Sequence, residues 1–215
     1  MHLAVDQIDE VTDRDLFFVK DLAKRNEPQF SDKFDIYDAR TKELLVECRE
    51  PDVSSWTKIS RLWGKRPVSN IGLDTMPPFN YVASKANGGP TLMRMARPSS
   101  TFSVGGAPIQ FFDSKDDLLC KMEIVILCMG RKYAFKGPDG ELLLMFQMKS
   151  GLTRTSIWSN GRAVGTLATN WNGECESFFK ERFKYAISIE PDVPKTTLLR
   201  NILFAVGLCY YRVMD

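Results

Sequence analysis

The part of this chain best equipped to bind something is a stretch in which tryptophans alternate with cations: Trp56, Lys58, Arg61, Trp63, Lys65 and Arg66. Indole rings favour the boundary between headgroups and hydrocarbon, and each cation near an anionic membrane surface contributes up to about 1 kcal/mol. These six residues are therefore the candidate lipid-binding set, with anionic phospholipid headgroups as the partner. The alternative is a solvated strand or loop whose tryptophans cap a core. Shorter basic clusters, Arg131-Lys132 and residues 180–184, read as solvated faces.

Little else in the sequence can do chemistry. The single histidine, His2, lies close to the start, so neither a zinc ligand set nor a nucleophile–histidine pair can be assembled around it. No CxxC pair occurs among the five cysteines, Cys48, Cys120, Cys128, Cys175 and Cys209. Their odd number and apolar surroundings suit reduced thiols in a cytoplasmic compartment. Asp113, Asp116 and Asp117 lie in a turn-like segment, where aspartate serves turn geometry better than acid–base catalysis. Gly105-Gly106 lacks the continuation of a phosphate-binding loop. The expectation is a protein that is not an enzyme and needs no cofactor. A net charge of +2 gives no reason to expect nucleic acid as a partner. Residues 1–10 lack the basic and apolar regions of a secretory signal.

The elements that would carry these residues are mainly β. From Phe34 onward an apolar, alternating segment, a turn rich in Asp, Asn, Gly or Lys, and a second apolar segment recur. Such units begin at Phe34, Ile109 and Tyr133. A fourth spans residues 155–169 with Ser159-Asn160-Gly161-Arg162 at its turn, and a weaker one spans 81–95. Serial antiparallel hairpins must close into a barrel or pack as two sheets to avoid exposed edges. Residues 1–33 read as a lead-in, either a short helix or a first strand, and residues 34–215 as a single domain. Phe111, Phe112, Phe178 and Phe179 read as packing residues.

Residues 196–214 read as an apolar helix. Its uncharged part between Arg200 and Arg212 is 11 residues, roughly 16 Å of helix against the roughly 30 Å of a bilayer core. A helix apolar on nearly every side needs burial all round, which the lumen of a closed sheet provides. The expected fold is thus an antiparallel β-barrel around a buried hydrophobic C-terminal helix. A membrane span with both arginines drawn to the interfaces is the alternative.

The order of parts resembles the tubby C-terminal-like superfamily, and more closely its phospholipid scramblase and LURP-one-related branches. The resemblance is carried by Val164-Gly165-Thr166-Leu167, then Trp171-Asn172-Gly173, Phe178-Phe179, an alternating strand through Tyr185, Asp192 and the closing helix, together with a hairpin ending in Arg97-Pro98. It implies a barrel around a central helix and interaction with phospholipid. The scramblase calcium-associated segment is matched at Glu181 and Asp192, but its other acidic positions fall on Phe183 and Pro194. Lys180, Arg182 and Lys184 also crowd it, which disfavours a hard cation. The function expected is a non-enzymatic domain attached peripherally to anionic phospholipid at the inner membrane surface. A soluble scaffold for a protein partner is the alternative, and an integral scramblase is a third.

Overall fold

A computed structural model describes residues 11–22, 33–51, 78–98, 107–127, 130–148, 152–195 and 198–213. Twelve antiparallel strands close into one barrel. They are β1 (Leu16–Asp21), β2 (Lys33–Asp38), β3 (Leu44–Arg49), β4 (Phe79–Lys85), β5 (Thr91–Arg97), β6 (Ile109–Asp113), β7 (Leu118–Leu127), β8 (Gly130–Lys136), β9 (Leu142–Met148), β10 (Arg154–Ser159), β11 (Arg162–Ala168) and β12 (Tyr185–Ile189). Each strand pairs with its neighbour in sequence, and β1 pairs with β12, Leu16 opposite Ser188, to complete the circle. Among the described residues, helix α1 (Glu176–Arg182) precedes β12 and helix α2 (Leu198–Val213) follows it.

All five hairpins read from the sequence are present, as β2–β3, β4–β5, β6–β7, β8–β9 and β10–β11. Their turns show why these residues were chosen. Asn160 and Gly161 have φ of 48° and 76°, the left-handed pair that a two-residue turn requires to match strand twist. In the β6–β7 turn the Asp113 carboxylate accepts hydrogen bonds from the amides of Lys115 and Asp117, at 2.8 and 2.9 Å. That aspartate is therefore occupied with the backbone. Leu16–Asp21, within the 1–33 lead-in, is a stave of the barrel between β2 and β12, so the barrel draws on residues either side of position 33.

A barrel of twelve strands has a lumen too wide for strand side chains alone to fill. Here α2 fills it. Five consecutive residues, Ile202, Leu203, Phe204, Ala205 and Val206, are each at most 1% exposed. Five residues exceed one 3.6-residue turn, so the helix is covered on every side. These side chains share one core with inward residues of the strands, among them Phe17, Phe34, Tyr81, Phe111 and Phe146. Each large apolar side chain enclosed in this way is worth about 1.5–3 kcal/mol. Gly207 lets β12 come close: a Cβ there would lie 2.0 Å from Ile187 Cδ1, and the Tyr185 hydroxyl donates to the Gly207 carbonyl.

A charge on the helix is buried with it. The sequence places Arg200 at the edge of the apolar stretch, where it would reach for solvent. Instead it is 1% exposed and held by acceptors from two segments. Nη1 donates to the carbonyls of Thr12 and Arg14 at 2.8 and 3.0 Å, and Nη2 reaches Asp15 Oδ1 at 2.6 Å. Nε donates to Val193 and Pro194 carbonyls at 3.2 and 3.1 Å. The guanidinium fork thereby ties α2 to the segment before β1 and to the turn after β12. Among the described residues no helix is long and apolar enough to cross a membrane.

Candidate cation–aromatic surface

The six residues Trp56, Lys58, Arg61, Trp63, Lys65 and Arg66 lie outside the described residues, as does Gly105-Gly106. The described residues carry a different surface of related chemistry on the outside of the barrel, around α1. The passage 170–182 reads in sequence only as polar and aromatic; the structure turns its second half into a helix. The turn ahead of the helix is tight. The Trp171 indole N–H donates to the Glu174 carbonyl at 2.7 Å, Cys175 takes a left-handed φ of 61°, and Arg40 grips the Glu174 carboxylate with two nitrogens at 3.0 and 3.2 Å.

The helix then lays Phe179 against Phe18, with Ala39, Ala168 and Ala186 in the same external cluster. The small alanines leave room for the rings. Strand alternation explains how β1 serves two cores at once: Phe17 and Val19 face the lumen cluster, whereas Leu16 and Phe18 face the outer one. Phe178 and Phe179, expected to be packing residues, are that; Phe178 is also partly exposed.

A row of contacts runs across this surface from cation to cation. Lys20 Nζ lies 5.9 Å from the centre of the Tyr37 ring, Tyr37 and Phe183 meet edge to face at 5.4 Å, Phe183 and Phe178 at 4.7 Å, and Lys42 Nζ lies 5.2 Å over Phe178. A third cation, Arg154, lies 5.3 Å over Trp171. Ring faces attract cations electrostatically, so these charges are steered onto the aromatic surface rather than away from it. Burial, reinforced by Asp35, pushes the Tyr37 phenol up, which keeps that ring neutral. Only Phe178-Phe179 of this set is legible as a cluster in the sequence. The cations come from β1, the β2–β3 turn and β10, and only barrel closure unites them.

Other candidate groups have structural partners. Asp192, one of the two positions matched to a calcium segment, pairs with Arg162 at 3.1 Å, and the Glu181 side chain lies outside the described residues. No group of three or more His, Cys, Asp or Glu residues is arranged to hold a metal among the described residues. Cys48, Cys120 and Cys209 are buried, and the Cys209 thiol lies 3.2 Å from the Met122 sulfur.

Burial pushes Cys120 from the ordinary 9.0 up to about 12, and Cys209 in the same direction, with Cys120 reinforcing the shift. In the unfolded chain both would ionise near pH 9 while the folded chain keeps them protonated, so stability is retained below that pH and lost as pH rises above it. The loss is about 1.4 kcal/mol per pH unit for each thiol. Urea unfolding between pH 8 and 10.5 should show this decline, and Cys120→Ala should make it shallower. An unchanged slope in the variant would remove Cys120 as its source.

Comparison with protein-family models, with curated proteins and with solved structures finds no match to this chain.

Proposed function

We propose that this barrel is a non-enzymatic domain, of the scramblase and tubby-like kind, that attaches peripherally to anionic phospholipid. The observation that carries this reading is the row Lys20, Tyr37, Phe183, Phe178, Lys42 on the outer face. Aromatic rings suit the headgroup level and the flanking lysines suit anionic headgroups, each charge adding roughly 1 kcal/mol near the surface. Trp56, Lys58, Arg61, Trp63, Lys65 and Arg66 have the same chemistry in the sequence. Reading the domain as a non-enzyme rests on the sequence, which offers no second histidine and no convergent nucleophile and base. The enclosure of α2 by the strands weighs against its use as a membrane span.

Sedimentation with vesicles tests this. Binding should require phosphatidylserine in a phosphatidylcholine background and weaken with salt, since exposed charges are screened within about 10 Å at 0.1 M. Removing both lysines, Lys20→Ala with Lys42→Ala, should weaken binding about 10-fold, given two surface charges and their shared aromatic row. Equal sedimentation with neutral and anionic vesicles would overturn the proposal. A scaffold that binds protein is the second reading, favoured by Trp158 and Leu142, which are 42% and 48% exposed on the outside of the barrel.

A further inference from the structure

One seam of the barrel is built differently from the other eleven. β9 and β10 are joined at only two ladder positions, Phe146 with Ile157 and Met145 with Trp158. Every other seam has at least four. In one direction the register would continue through Gln147 with Ser156 and Met148 with Thr155, but no pairing forms there. In the other, where Leu144 and Ser159 would come next, the Ser159 hydroxyl donates instead to the Leu143 carbonyl at 2.7 Å. A side-chain bond stands in for the backbone ladder.

The opposite edge of β10 reinforces the weakness. Its register with β11 shifts between Ile157 and Trp158, the same two residues that hold β9. The unpaired residue at this shift is Val164 of β11, and β9 has one of its own, Leu143, in its pairing with β8. A bulge bends and twists the strand that holds it, so both neighbours of β10 are bent. Among the described residues, three of the five exposed large apolar side chains, Leu142, Leu152 and Trp158, belong to these two strands and the connection between them. Behind β10 lies the plug: a Cβ on Gly165 would be 3.6 Å from Ile157 Cδ1 and 3.4 Å from Leu203 Cδ2, so Ile157 of β10 and Leu203 of α2 border the same spot.

We propose that the β9–β10 seam is a lateral gate, the place where the barrel parts first and gives access from outside to the α2 core. Separating β9 from β10 breaks two ladder positions and one serine bond, whereas parting β7 from β8 breaks seven ladder positions. Local opening with a small loss of backbone bonding is more frequent than global unfolding, and it is read out by amide exchange.

Hydrogen exchange followed by mass spectrometry on the whole chain tests the gate under native conditions. Peptides from β9 and β10 should exchange at least 100-fold faster than those from β7 and β8. Ser159→Ala, which removes the substitute bond, should speed exchange in the same two strands about 5-fold and leave β4 and β5 unchanged. Gln147 and Ser156 are both exposed, and replacing both, Gln147→Cys with Ser156→Cys, allows the seam to be locked. Oxidation should slow exchange in β9 and β10 at least 10-fold, and reduction should restore it. Equal protection of β9–β10 and β7–β8, or no response of either strand to Ser159→Ala, would overturn the proposal.

Discussion

Phe204→Asp should abolish the folded state. Phe204 is 1% exposed within α2 and meets Phe17 of β1 edge to face at 5.8 Å between ring centres. Removing the ring alone costs about 3–5 kcal/mol, and an unpaired carboxylate in an apolar core adds a desolvation penalty of several more. A domain is stable by only about 5–15 kcal/mol, so the sum reaches its whole stability. Expression should give insoluble protein, or soluble chain without near-ultraviolet circular dichroism. Phe204→Leu, which stays apolar, should fold. Leu203→Asp should behave as Phe204→Asp does, because Leu203 is fully buried. A folded, soluble Phe204→Asp protein would mean that the helix does not sit inside the barrel.

The second large effect is expected at Arg200. Arg200→Ala removes the partner of Asp15 Oδ1 and the guanidinium donors to the carbonyls of Thr12, Arg14, Val193 and Pro194. Removing one partner of a buried ion pair typically costs about 3–5 kcal/mol, and the lower end applies because Asp15 remains 27% exposed. A loss of about 3 kcal/mol corresponds to a fall of roughly 6–12 °C in melting temperature for a domain of this size. Arg200→Lys keeps the charge but lacks the planar fork, so it should fall between parent and alanine variant. A melting temperature unchanged in Arg200→Ala would show that the acceptors are satisfied without it.

The parts of this fold legible in the sequence are those where local chemistry and global position agree. Asn160-Gly161 announces its turn because only such residues tolerate two successive positive φ values, and the alternation on either side sets the strands. β1 resists the same treatment. Leu16, Phe17, Phe18 and Val19 are all buried, two toward each core, so the run has no alternation by which to tell strand from helix. Helix α1 is hidden for another reason: it has seven residues and its N-cap, Cys175, makes no side-chain cap hydrogen bond. The usual start signal is absent. Arg200 was legible as a charge but not as a clamp, since its acceptors lie up to 188 residues away along the chain.

The same distance separates the sequence from the candidate surface. Lys20, Lys42 and Arg154 have no common motif, and each is individually an ordinary surface cation. They become one feature only after Phe18 and Tyr37 have been placed against Phe183, which requires β1, β2 and β12 to be in register.

The pairing of β1 with β12 also sets a schedule for synthesis. Leu16 leaves the ribosome long before Ser188, its partner, and α2 emerges later still. Until then the growing sheet has two open edges and an apolar inner face with nothing to cover it. Pairings this remote in sequence form slowly, and such edges invite association with other chains. Helix α2 therefore completes the assembly of the barrel as well as filling its centre.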